Sequence, residues 1–164
     1  MKKLFLISTL IVFGLINAKA QLQSNLGLRL GGNTEILYQY GFGDASLVEG
    51  SLGLGFDKQK DSAFTTTISL TGLYIYSYNF AGSWFVYGGL GGGPEISLNT
   101  IKTPSKKLYE IFNLKLALAL GIEYQLDAPV SFFLDYRPEM LVKLKGKQIF
   151  QFYGLSVGFR YRFE

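Results

Sequence analysis

The stretch Leu114-Lys115-Leu116-Ala117-Leu118-Ala119-Leu120-Gly121-Ile122-Glu123-Tyr124-Gln125-Leu126 decides the fold. Every even position is large and apolar, and every odd position is small or polar. Successive side chains of a strand point to opposite faces, so an extended chain here has one greasy face and one that is not. A helix would need its apolar residues three and four apart, a spacing that does not gather these onto one stripe.

The alternation recurs along the chain. Leu26, Leu28 and Leu30 alternate with Gly27, Arg29 and Gly31; Ile36, Tyr38, Tyr40 and Phe42 with Glu35, Gln39 and Gly41. Val48, Leu52, Leu54 and Phe56 alternate with Glu49, Ser51, Gly53 and Gly55. A fourth strand, from about Ala63 to Phe80, sets Phe64, Ile68, Leu70, Tyr74, Tyr76 and Tyr78 against Thr65, Thr67, Ser69, Thr71 and Ser77. Leu73 and Ile75 break its parity, which predicts a bulge there. A fifth strand from Ser83 to about Leu98 carries the run Gly88 to Gly93. Near the C-terminus, Val130, Phe132, Leu134 and Tyr136 alternate with Ser131, Asp135 and Arg137. Last, Tyr153, Leu155, Val157, Phe159, Tyr161 and Phe163 alternate with Gly154, Ser156, Gly158, Arg160 and Arg162. With the opening stretch this predicts eight strands and no helix, the even count that single-chain bacterial barrels use.

The connections fit an up-and-down barrel. Gly43-Asp44-Ala45-Ser46, Ala81-Gly82 and Asp127-Ala128-Pro129 are compact turns, expected at the end that holds both termini. The alternate connections, 57–62, 99–113 and 143–148, are longer or more polar, and only Gly32-Asn33 is as tight as a turn.

Ahead of the strands lies a processing segment. Lys2 and Lys3 precede an apolar run from Leu4 to Ile16, and Ala18-Lys19-Ala20 gives the small-x-small pattern of a cleavage site. Cleavage after Ala20 is expected, leaving residues 21–164 as the mature barrel domain. The alternative is an uncleaved anchor, for which the run is short against the roughly 20 residues a span needs. Removing Lys2, Lys3 and Lys19 lowers Lys plus Arg from 16 to 13 against 12 acidic residues, so net charge falls from +4 to +1. That leaves no electrostatic case for nucleic-acid binding.

Which face is greasy separates a membrane barrel from a soluble one. A soluble ligand-binding barrel of the lipocalin type turns its apolar face inward. Eight strands enclose a lumen just wide enough for side chains, and Gly, Ala, Ser and a few charges fit it better than a full set of Leu, Phe and Tyr. The greasy face then looks outward, where lipid accepts it. Aromatics collect toward strand ends, where interfacial girdles belong, and Pro94 and Pro138 fall toward the outer rim.

The closing segment Gly154-Leu-Ser-Val-Gly-Phe-Arg-Tyr-Arg-Phe163 resembles the C-terminal strand of outer-membrane barrels, with Glu164 following the final aromatic. Phe133-Leu-Asp-Tyr-Arg-Pro138 is similar to another strand of that group. Over about Gln21 to Phe163 the chain resembles the small eight-stranded barrels of the OmpA/OmpX kind and the broad outer membrane protein beta-barrel domain families. The resemblance implies a Gram-negative outer-membrane location, surrounding lipid as a partner, and recognition of Phe159, Tyr161 and Phe163 by the barrel assembly machinery.

Chemistry is sparse. The chain has no His and no Cys, which removes the usual base and the imidazole and thiolate metal ligands. Ser105 beside Lys106 and Lys107 is the nearest nucleophile–base neighbourhood. Gly88 to Gly93 lacks the Lys-Ser/Thr and helix of a phosphate loop, and is expected to curve the strand and leave lumen room for a facing Arg. No catalytic residue, metal or cofactor is expected. The inward charges are Arg29, Lys115, Arg137, Arg160 and Arg162 against Glu35, Glu49, Glu95, Glu123, Asp135 and Glu139. Near balance points to an internal salt-bridge plug, with a narrow charge-lined pore for small solutes or ions as the alternative. The outward loops carry Lys58, Lys60, Lys102, Lys106, Lys107, Lys143, Lys145 and Lys147. They form either a basic rim facing lipopolysaccharide phosphates or an ordinary solvated surface.

Overall fold

A computed structural model of the chain describes residues 24–42, 45–58, 64–98, 112–143, 148–152 and 154–163. The expected export segment, residue Tyr153 and most of the long loops lie outside them. Ten extended segments follow in order: β1 (Ser24–Leu30), β2 (Asn33–Gly41), β3 (Ser46–Lys58), β4 (Phe64–Ala81), β5 (Trp84–Ser97), β6 (Phe112–Gln125), β7 (Val130–Tyr136), β8 (Glu139–Lys143), β9 (Ile149–Gln151) and β10 (Leu155–Phe163). Each neighbouring pair is antiparallel, and the β1–β10 and β5–β6 pairings close the ring.

The ten segments make eight strands. β7 and β8 lie against β6 in one register, Leu120↔Tyr136 and then Ala117↔Glu139, and the Leu118 N–H donates to the Pro138 carbonyl at 3.1 Å. Proline has no N–H to give, so the ladder breaks there without the strand ending. On the other side, Arg137 and Pro138 stand opposite the longer stretch 152–154, a bulge that divides β9 from β10.

The pairings also fix the stagger. From Tyr78 the partners run Val86, Ile122, Leu134, Val157, Leu30, Thr34, Leu54 and back to β4 at Ile68. A shift of about ten residues around eight strands tilts them by roughly 35–45° and sets a lumen that side chains fill.

Parity sorts the faces as expected. Leu114, Leu116, Leu118 and Leu120 point out, while Lys115, Ala117 and Ala119 are buried inside. The outward face is apolar over the whole ring, from Leu30 and Ile36 to Leu134 and Val157. Toward the end that holds the termini it turns aromatic. There Trp84 packs on Tyr124 with ring centroids 4.7 Å apart, Phe42 on Tyr74 at 6.1 Å, and Tyr161 on Phe163 at 5.2 Å. That end is closed by tight turns. In one, Gly82 takes a φ of 53°, open to glycine at no steric cost, and the Asn79 amide donates to its carbonyl.

Two expectations need correction. Leu73 and Ile75 do not break the parity of β4. Both point inward, 2% and 0% exposed, and the register shift falls between Asn79 and Ala81 instead. With Leu37, Tyr87, Ala117, Ala119 and Phe133 they form an apolar cluster inside the barrel. These bulky groups fit because they stand beside glycines: Tyr87 is paired with Gly121, and Phe133 with Gly158, whose missing Cβ the ring occupies. The second concerns the glycine run. Gly91 and Gly93 lie against the Gly72 and Leu70 carbonyls of β4, so close that a Cβ would meet backbone. The cross-strand neighbour of Gly93 on β6 is Lys115.

Candidate functional site

The interior charges sit on odd-numbered positions of β1, β2, β3, β5, β6, β7 and β8, with Arg137 in the break between β7 and β8, and on even positions of β10, all on the inward side of the barrel. Arg29 and Glu35 are direct cross-strand partners in the β1–β2 hairpin and meet at 2.5 Å. Arg29 also approaches Asp135 at 3.7 Å. Asp135 accepts from Arg137 Nε at 2.9 Å, from the Ser156 hydroxyl and from the Tyr87 hydroxyl at 3.3 Å. Arg137 then reaches Glu49 at 2.7 Å. Glu49 accepts from Gln39 at 2.9 Å, and Gln39 in turn from Asn25 at 3.1 Å. Arg160 lies 3.7 Å from the same carboxylate and pairs with Glu123, which also takes the Ser131 hydroxyl at 2.5 Å.

The result is one connected chain, Glu35, Arg29, Asp135, Arg137, Glu49, Arg160, Glu123. β3 and β7 stand opposite each other in the ring, so the Arg137–Glu49 contact crosses the full lumen. Arg160 is wholly buried and its guanidinium lies 3.8 Å from the Phe133 ring centroid and 5.2 Å from that of Tyr87. Stacking on aromatic faces supplies attraction that a buried guanidinium cannot draw from water. Lys115 and Glu139 make a separate pair at 3.1 Å.

Toward the loop end the chain forms the floor of a cavity of about 480 Å³. Arg29, Glu35 and Arg137 lie at its base, and Asn33, Glu95, Asn113, Glu139 and Gln151 line its sides.

A family model described as "Outer membrane protein beta-barrel domain" matches residues 9–163. The chain belongs to that family. Membership places this barrel in the outer membrane, with the apolar face toward lipid. Among solved structures, Neisserial surface protein A is similar at 16% identity and a TM-score of 0.53, covering 86% of this chain and 94% of that one. A chain from the de novo design of transmembrane β-barrels is similar at 11% identity and a TM-score of 0.53, covering 90% and 100%. Both likenesses speak to the fold alone. No curated protein matches the chain.

The structure of this outer-membrane barrel gathers Arg29, Glu35, Glu49, Glu123, Asp135, Arg137 and Arg160 into the chain, with Glu139 on Lys115 and Glu95 buried in the cavity wall. Arg162 is the exception. It stands at the rim and donates to Gln125 at 2.9 Å and to the Leu126 and Ala128 carbonyls, and among the described residues no carboxylate is bonded to it. Its inward parity is right, but β10 has by then reached the β6–β7 turn, where backbone carbonyls are the available acceptors. Phe159, Tyr161 and Phe163 point outward. Lys143 closes β8, while Lys102, Lys106, Lys107, Lys145 and Lys147, like Ser105, lie outside the described residues. Parity alone could have found Tyr87 and Phe133, since both fall on inward positions.

Proposed function

We propose that this chain is a non-enzymatic integral barrel of a Gram-negative outer membrane, closed by its own ion pairs and serving a structural or interaction role at the cell surface. The observation that carries this is the contact of Arg137 with Glu49 across the lumen, joined on both sides to further buried pairs. Each charge in such a chain is held by partners that a hydrated ion or solute would have to displace, and a buried pair broken on one side is costly. Liposome swelling tests the closure. Vesicles carrying the barrel should resist small sugars as empty vesicles do, whereas swelling at a porin's rate would mean an open path.

The runner-up is a narrow pore, for which the polar cavity at the loop end is the supporting observation. That cavity stops at Arg29, Glu35 and Arg137, so closure is the better fit. The outward alternation of Phe159, Tyr161 and Phe163 suits recognition by the barrel assembly machinery during insertion. By their place on the connections opposite the termini, we propose that Lys102, Lys106, Lys107, Lys143, Lys145 and Lys147 offer ammonium groups to lipopolysaccharide phosphates. Glutamine at these six positions should weaken lipopolysaccharide binding while the folded band on an unboiled gel persists. Undiminished binding would leave the lysines a solubilising role only.

A further inference from the structure

Among the described residues the wall of the barrel is incomplete above the β1–β2 turn. Asn33 pairs with Gly55 on β3, and beyond it Phe56, Asp57 and Lys58 pair, among those residues, with β4 alone. On the other flank β9 pairs with β8 alone among the described residues. Two strand edges therefore face each other over the sill Gly31-Gly32, and both residues of the sill line the cavity. Outward apolar side chains continue above the sill on either flank. Phe56 is 68% exposed, and Phe150 and Phe152 stack on each other with centroids 6.3 Å apart. On the far wall Ile96 and Leu114 extend the same band. Among the described residues the gap thus opens sideways at the level of the outward apolar band, and bare edges in hydrocarbon are costly unless something meets them.

What lies behind the gap is polar and carries both signs. Arg29 and Arg137 are nearly fully buried; among the described residues the Nη1 of Arg137 makes no hydrogen bond, and that of Arg29 has only Asp135 at 3.7 Å. Glu95 and Glu139 stand in the same cavity, with Asn33, Asn113 and Gln151 between. A volume of about 480 Å³ suits a small-molecule group.

We propose that this side opening takes an outer-leaflet amphiphile with a zwitterionic phosphate–ammonium head. The phosphate meets the cavity-facing guanidinium groups of Arg137 and Arg29, the ammonium meets Glu139 and Glu95, and the acyl chain leaves through the gap over Phe56, Phe150 and Phe152. The proposal depends on the membrane setting of the barrel and not on whether the lumen conducts.

The test uses the full mature chain in a neutral glycoside detergent, with Trp84→Phe removing the one native tryptophan and Phe56→Trp placing a reporter at the gap. Bromine-labelled lysophosphatidylethanolamine, lysophosphatidylglycerol and an alkyl maltoside of equal chain length are titrated separately. The expected result is saturable quenching by the ethanolamine lipid at least tenfold tighter than by the other two. Asn113→Phe, which fills the cavity from β6, should abolish that preference in protein that keeps its folded gel mobility. Equal quenching by all three probes would mean an unselective lipid belt and overturn the proposal, as would a preference for the anionic head. A second copy of the chain seated on the bare edges would appear as a dimer indifferent to head group, with the same consequence. The head-group comparison needs only the reporter protein, so it decides even if Asn113→Phe fails to fold.

Discussion

Arg137→Ala is expected to lower the unfolding free energy of the detergent-solubilised barrel by about 3–5 kcal/mol, read as a lower denaturant midpoint. Its guanidinium holds two carboxylates at once, Asp135 at 2.9 Å and Glu49 at 2.7 Å, from opposite walls of the lumen. After truncation Glu49 keeps Gln39 and a 3.7 Å approach from Arg160, and Asp135 keeps Ser156, Tyr87 and a 3.7 Å approach from Arg29. Those contacts soften the loss and place it toward the lower figure; the two shortest ion contacts have no replacement, so the loss does not vanish. Arg137→Lys should recover little of it. An ammonium has three N–H donors but one nitrogen on a flexible stem, and cannot reproduce the span from Nε on Asp135 to Nη2 on Glu49 that the planar guanidinium provides. An unchanged midpoint for Arg137→Ala would show that the chain contributes nothing to holding the lumen together.

Leu118→Arg is the second large effect, about 2–4 kcal/mol of destabilisation in a lipid bilayer. Leu118 points outward, 56% exposed, midway along β6 between Leu116 and Leu120. In water such a surface position would accept arginine within a few tenths of a kcal/mol. In hydrocarbon the guanidinium must snorkel or draw water inward. Equal stability of the Leu118→Arg and unmodified proteins in bilayers would contradict an outward face bathed in lipid.

Much of the fold is legible in the sequence. Period-two alternation with large Leu, Phe and Tyr on one face sets which residues look outward, because an eight-stranded lumen cannot hold them all. The Arg29–Glu35 pair is within reach too, since a tight turn around Gly31-Gly32 puts those positions side by side. Arg137–Glu49 is not. Their strands never touch, and only the stagger of about ten residues around the ring brings them level across the lumen. For the same reason the rim position of Arg162 is hidden, parity giving its side but not its height. Leu73 and Ile75 mislead because an inward face is expected to be small or polar, whereas β4 and β5 place their glycines and apolar side chains against each other. The cavity above the chain leaves no mark in the sequence, being made by a short hairpin between longer neighbours.

Single-channel recording in planar bilayers tests the closed lumen most directly. The unmodified barrel should insert and stay electrically silent under applied voltage, its Glu35-to-Glu123 chain unbroken, while Arg137→Ala, having lost the contact across the lumen, should give brief ion-conducting openings. Steady conductance from the unmodified barrel would contradict the account and make the ion pairs the lining of a working pore.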